Sequence, residues 1–331
     1  MNKNLPTIVI FSYIALVIAN LIWAAAGPVI KLTIEYLPPF TFLFLRFMLV
    51  CVLILPYTIV ELLKYKISAK DYWKIFILGI FSQSSIILIV FGLKYTTAVD
   101  MTLIGSLAIV LSMAAGHYFF KEKMHAGVKF GLIIALLGAF VVILEPLLTY
   151  GKSATDTSAW LRIWGNFLIF LYNIAFLLYI VWSKISFGQS TNIIKKSLHF
   201  MHIRPMKSRY PASLLAAVSF YVGMFTMLPF AVLENLNFFG TVSYDLMSLD
   251  GKAVAGIVYM ALLSSITAYF LFEWALGSVS IGDTAILGYI STIFGIPFAF
   301  WILGEVPTFY GLLGAVIIGI GVVTAEISAH T

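Results

Sequence analysis

The chain has 331 residues, of which 62% are apolar, 16% aromatic and only 10% charged, with a formal net charge of +6. That composition leaves too little polar surface to cover a water-soluble globule, and the single cysteine, Cys51, excludes a disulfide framework or a cluster of metal-binding thiolates. The basic excess requires no nucleic-acid partner, because loops facing anionic lipid head groups account for it.

One apolar run follows another, each with the roughly 20 residues a helix needs to cross about 30 Å of hydrocarbon, whereas barrel strands would alternate over about ten. The reading is therefore all-α and membrane-integral. Ten spans are expected, at roughly 8–30, 38–60, 73–94, 97–119, 127–146, 161–183, 211–233, 253–277, 282–303 and 308–327. The first ends in small residues, Ala24 to Gly27, that mimic a signal-peptide cleavage site. Its apolar stretch is too long for that class and contains Trp23, so it is expected to stay uncleaved.

The second span opens after Pro38 and closes at Pro56, and the seventh opens at Pro211 and closes at Pro229, a constant offset of 173. Arg46 lies eight residues into the second span, roughly 12 Å along a helix. A permanent charge at that depth must face the bundle interior. It is expected to serve as a substrate-binding or gating cation, the alternatives being one arm of a buried ion pair or a snorkelling side chain. Ser219 stands at the equivalent place in the seventh span, so the halves differ here.

A second offset, 183, pairs Asp100 with Asp283, Gly105 with Gly288, Glu122 with Glu305, Gly131 with Gly314 and Gly138 with Gly321. Five spans per half means that the second half enters the membrane from the opposite side. The expected architecture is thus two inverted five-helix repeats, residues 1–150 and 151–331, around a central cavity. With the N-terminus cytoplasmic, 14 of the 20 basic residues lie inside and five outside, Lys31, Lys94, Lys152, Arg162 and Lys252. That bias places both termini in the cytoplasm.

Residues 184–210 form the one long connection and carry six basic residues without an acid. They read as a solvated cytoplasmic loop or as an interfacial amphipathic helix touching anionic lipid. Residues 146–160 and 234–252 read as ordinary connectors. The glycines after Glu122 and Glu305 have spacings that let helices five and ten pack closely, within the chain or across a homodimer.

Uncharged polar groups recur inside the spans: Asn20, Gln83, Ser84, Asn173, Ser265 and Ser291, with the amphipathic rings of Trp23, Tyr179 and Tyr269. Hydrocarbon forces such groups either onto a wet cavity or into interhelical hydrogen bonds. Ser82 and Ser265 share the offset of 183, which favours a substrate site near mid-depth. Asp100 and Asp283 open spans four and nine, where a carboxylate caps free backbone N–H groups. Asp283 together with Glu273 is the alternative, a proton-coupling pair. Glu122 and Glu305 are expected in tight interfacial turns, bonded to backbone N–H groups.

Trp23 followed by Lys31, Pro38 and Arg46, and the Gly304-Glu305 pair followed by Gly314 and Gly321, resemble the drug/metabolite transporter superfamily, specifically tandem EamA-type domains. The resemblance covers nearly the whole chain. It implies a ten-helix basket that opens alternately to either side and carries small organic solutes. Many members have a proline about a dozen residues before the repeated Glu. Ile109 and Thr292 stand there, so the resemblance leaves Pro297 to break the ninth helix.

The sequence thus points to a secondary transporter or exchanger for a small amphipathic metabolite such as an amino acid. A polar-lined channel or a lipid-interacting scaffold is the alternative. A membrane enzyme is disfavoured, since no HExxH or GxSxG motif occurs, and no cofactor or metal is expected.

Overall fold

The computed structural model describes residues 5–120, 126–149, 158–186, 206, 210–238, 249–280, 283–284 and 287–330. Glu122 and most of the basic connection 184–210 lie outside the described residues. Every regular element described is helical: α1 Leu5–Ile34, α2 Pro39–Lys64, α3 Ala69–Tyr95, α4 Ala98–Gly105, α5 Leu107–Phe120, α6 Ala126–Leu148, α7 Ala159–Ser186, α8 Ala212–Asn235, α9 Gly251–Leu276, α10 Tyr289–Leu303 and α11 Phe309–His330. Seven of them, α1 to α3 and α6 to α9, are long and apolar enough to cross a membrane, and shorter apolar helices stand beside them.

The outward faces of these helices are apolar. Phe130, Leu137 and Phe140 on α6, and Val316, Ile320 and Val323 on α11, are all exposed. A belt of that kind is tolerable only against lipid tails. The interior is the reverse, with Arg46, Asn20, Asp100, Glu145, Arg162, Asn173 and Glu273 buried. The chain is therefore a multi-pass membrane protein.

Pro56 and Pro229 do not close their helices, because α2 continues to Lys64 and α8 to Asn235. Near Pro56 the Tyr221 hydroxyl of α8 donates to the Cys51 carbonyl at 2.9 Å. Spans four and nine, by contrast, are not single helices. The break falls between α4 and α5 at Ser106, whose N–H is shared between the carbonyls of Thr102 and Leu103 at 3.3 Å each and whose hydroxyl returns to Leu103 at 2.6 Å. In the ninth segment the helix resumes after a turn at Gly288. Gly105 and Gly288 are repeat partners, so both interruptions sit at one repeat position. Pro297, expected to supply the break, lies inside the continuous α10. Gly288 and Ser106 both keep right-handed angles, φ −59° and −63° with ψ near −20°, so each interruption is a tightened turn and does not depend on the missing N–H of a proline.

The closest packing in the molecule is between α6 and α11, which run antiparallel. A Cβ added to Gly138 would lie 2.8 Å from the carbonyl oxygen of Gly314, and one on Gly314 would lie 2.9 Å from that of Gly138. Gly131 and Gly321 face each other in the same way. The glycine spacing thus serves contact within the chain, backbone against backbone. These contacts also exchange the repeat partners: Gly131 corresponds to Gly314 yet meets Gly321, and Gly138 corresponds to Gly321 yet meets Gly314.

Candidate functional site

A cavity of about 210 Å³ lies among α1, α2, α3, α4, α5, α7, α9 and the start of α10. None of α6, α8 or α11 contributes a described lining residue. Of the residues singled out from the sequence, Asn20, Trp23, Arg46, Asn173, Tyr269 and Ser291 face it. So do Gly105 and Gly288, which places both helix interruptions at its wall.

Arg46 is 4% exposed. Its Nε donates to the Ser265 hydroxyl at 2.9 Å, and that hydroxyl in turn donates to the Met260 carbonyl at 2.7 Å, five residues back. The i−5 bond belongs to a π-helical stretch, Tyr259–Ala268, within α9. A bulge of this type re-aims side chains and is common at functional sites. The guanidinium carbon lies 5.4 Å from the Phe47 ring centroid. Among the described residues no carboxylate comes within salt-bridge distance of Arg46, and its two terminal nitrogens have no hydrogen-bond partner. The cavity therefore contains a cation with donors to spare.

Asn20 and Asn173 share one arrangement. Each donates its amide N–H to the carbonyl one turn back, to Leu16 at 2.8 Å and to Ile169 at 2.9 Å, which leaves the side-chain oxygen for the cavity. Their separation, 153 residues, is that of Trp23 from Phe176 and of Lys31 from Lys184. Trp23 meets Phe176 edge to face at 6.1 Å between centroids and Phe272 at 4.9 Å, and its indole N–H donates to the Ser264 carbonyl at 3.1 Å. Aromatic rings thus form one wall and amide oxygens another.

Four of the expected binding residues lie off the cavity. Ser265 is reached only through Arg46, and the Ser84 hydroxyl is 2.7 Å from that of Thr226 on α8. Tyr179 is stacked on Tyr269 with ring centroids 5.7 Å apart, and Gln83 is fully buried against Gly223. The Tyr179 and Tyr269 hydroxyls and both polar atoms of the Gln83 amide have no hydrogen-bond partner among the described residues. Each such group costs about 1–3 kcal/mol where it is buried. The Tyr269 hydroxyl faces Ser82 and Gln83 without closing a bond to either.

The acids behave differently from expectation. Asp100 does not cap α4, because Thr97 does so by accepting the Asp100 N–H at 2.9 Å. The Asp100 carboxylate instead takes Arg162 Nη2 at 2.8 Å and the Thr96 hydroxyl at 2.9 Å. Arg162, counted among the basic residues at the outer side, is 2% exposed and also meets Glu145 at 3.0 Å. Its charge is drawn inward because two carboxylates already stand there. Ser280 plays the part of Thr97 for Asp283: it accepts that N–H at 3.0 Å and donates to the carboxylate at 2.7 Å. Glu273 is buried and takes the Ser183 hydroxyl, so Glu273 and Asp283 have separate partners. Glu305 does bind backbone N–H groups, but those of Ala98 and Val99 at the start of α4, while its other oxygen meets Lys31 at 2.9 Å. Lys31 also reaches the Thr96 carbonyl, and Lys184 reaches that of Val279, the repeat partner of Thr96.

Tyr172, Phe176, Phe272, Thr102 and Ser112 line the cavity although they were not among the expected binding residues. For Phe176 the signal was present, since the offset that pairs Lys31 with Lys184 also pairs Trp23 with Phe176.

Comparison with known proteins places this geometry in context. The model of the EamA-like transporter family matches residues 10–144 and again residues 178–325. A protein of Archaeoglobus fulgidus named an uncharacterized transporter is 23% identical over 320 residues, covering 96% of this chain and 98% of its own. The uncharacterized transporter YcxC of Bacillus subtilis is 24% identical over 319 residues, covering 96% and 93%. One crystal structure superimposes with a TM-score of 0.59 at 14% identity, covering 96% of this chain and 97% of that one, a likeness of fold alone.

Proposed function

Since the chain belongs to the EamA-like transporter family, and is thus a membrane transporter and not an enzyme, we propose that it moves a small amphipathic metabolite across the cytoplasmic membrane by alternating access, as a secondary transporter or exchanger. One observation carries this reading: Arg46 stands in the cavity without a carboxylate. A buried cation without a protein counter-ion is retained where a ligand supplies the anion. The amide oxygens of Asn20 and Asn173 suit an ammonium or other donor, and the rings of Trp23, Phe176 and Phe272 suit an apolar body. An amino acid or a related compound combines those three features.

Two halves of opposite orientation, residues 1–150 and 151–331, are part of the same proposal. The reciprocal glycine contacts of α6 with α11 support it, as do the matched roles of Asn20 and Asn173 and the matched carbonyl partners of Lys31 and Lys184. Both termini are assigned to the cytoplasm on the bias of basic residues, 14 of 20, toward that side. On this view the Lys31 end of the bundle faces out and the Lys184 end faces in.

Counterflow in proteoliposomes tests the function. Preloading with unlabelled amino acids should accelerate uptake of the labelled compounds, and Arg46→Ala should abolish that acceleration. Simple dissipation of the gradient would mark a channel, and Arg46→Ala protein with full counterflow would remove Arg46 from the binding site. Reporter fusions after Lys66 and Lys152 test the orientation, with a cytoplasmic signal expected only from the first.

A further inference from the structure

Among the described residues, four buried side-chain atoms without a hydrogen-bond partner fall in one place. On α9, Ser265, Tyr269 and Glu273 succeed one another at intervals of four, so they share one face and span roughly 12 Å. Ser265 holds Arg46 at 2.9 Å. One turn on, Tyr269 stacks on Tyr179 and faces Gln83. One turn further, Glu273 takes the hydroxyl of Ser183, itself four residues beyond Tyr179 on α7. The sequence of chemistry along this face is a cation, then a cluster of neutral hydrogen-bonding groups, then a carboxyl group.

The middle cluster is fully or nearly buried, and its four polar atoms lack partners: the Gln83 amide nitrogen and oxygen and the two tyrosine hydroxyls. An orphaned group can be an accident of packing, but four on neighbouring side chains from three helices point to a state in which they are paired. Only Tyr269 reaches the cavity wall; Gln83 and Tyr179 stand directly behind it, next in sequence to Ser82 and Ile180, which line the cavity toward its Lys184 end. Gln83 belongs to a second π-helical turn, Ile80–Ser84 in α3, and Ser82 there is the repeat partner of Ser265. The backbone on both sides of the cluster thus departs from regular α geometry.

We propose that Gln83, Tyr179 and Tyr269 form a second binding station in the cavity wall, separate from Arg46, which takes the zwitterionic head of the solute as it leaves the cavity toward the Lys184 end. The station rests on the transporter reading above. Arg46 on one side and Glu273 on the other bracket it, so a carboxylate and an ammonium group on one small molecule match it in order. The neutral donors and acceptors between them complete hydrogen bonds that the closed bundle leaves unmade. A dianionic phosphate has no partner for its second charge there.

Thiol accessibility tests this. Cys51 is the chain's one cysteine, so Cys51→Ser supplies a background in which Gln83→Cys is the sole target. Ser291→Cys, on the cavity wall, serves as the reference. A membrane-impermeant methanethiosulfonate ammonium reagent, applied to inside-out and right-side-out vesicles, should modify Gln83→Cys at least tenfold faster from the cytoplasmic face. A millimolar mixture of the proteinogenic amino acids should slow that reaction at least twofold, and inorganic phosphate should not. The station is overturned if Gln83→Cys stays unmodified until denatured while Ser291→Cys reacts, or if amino acids leave its rate unchanged. If neither thiol reacts from either face, the transport reading itself fails and the station with it. Gln83→Met, matched in volume and lacking the amide, supplies an independent readout. Its melting temperature should rise above that of the unmodified chain, whereas a fall would show the amide to be satisfied at rest and would overturn the proposal.

Discussion

Arg46 and Arg162 are both buried arginines in one bilayer-spanning chain, and their surroundings are opposite. Arg162 holds two carboxylates, Asp100 and Glu145, at 2.8 and 3.0 Å. Arg46 holds a serine hydroxyl and a ring. The Arg162 region ties α4, α6 and α7 together at the Lys31 end and opens on nothing. The Arg46 region has donors left over and opens on a cavity. Burial is common to both; what separates them is the pair of carboxylates, which Arg162 holds and which Arg46 lacks among the described residues.

Several substitutions would break or sharpen that contrast. The largest effect on folding is expected from Arg162→Met, which strands two buried carboxylates and should cost about 3–5 kcal/mol, read as loss of monodisperse protein and a steep fall in melting temperature. Adding Asp100→Leu and Glu145→Leu should recover most of the loss, because an apolar trio carries no desolvation penalty. If Arg162→Met is stable by itself, the network is not the structural element described. Arg46→Met should do the reverse, leaving the melting temperature unchanged or higher while counterflow falls roughly tenfold or more, about 1.4 kcal/mol or more. Arg46→Lys should not restore it, since one ammonium cannot present the guanidinium fork.

Smaller effects come from groups that are only partly enclosed. Lys31→Met removes an ion pair whose side chains are 16% and 14% exposed, and should cost about 1 kcal/mol by thermal melting, with Glu305 still accepting from Ala98 and Val99. Ser265→Ala leaves Arg46 in place but unguided. Counterflow should drop by about two- to fivefold, within the ~0.5–1.5 kcal/mol of one hydrogen bond, and a drop as large as that of Arg46→Met would transfer the essential role to the hydroxyl.

Much of this organisation could be read in the sequence. Long apolar runs dictate helices in a bilayer, and the repeat marks Gly105 and Gly288 before any coordinates do. The cap at Asp100 was misassigned although the signal was local: Thr97 three residues before Asp100, like Ser280 before Asp283, is the pattern in which the hydroxyl residue caps and the acid stands third. Arg162 was illegible for a different reason. It lies two residues into a span, where a basic side chain normally snorkels, and only the convergence of Asp100 and Glu145 from other helices turns it inward. Gln83 and Ser84 were expected to face the cavity with Ser82, but successive residues of a helix point about 100° apart, and of the three Ser82 alone lines it.

The seam between α6 and α11 has a consequence for motion. Where peptide groups of two segments touch with no side chain between them, there is no soft layer to shear, and a shift of even one ångström would drive carbonyl oxygens into main-chain atoms. These two segments therefore act as a fixed keel. In the proposed alternating-access cycle the rocking is carried by the other helices swinging against this seam, and a covalent staple across it should leave counterflow intact.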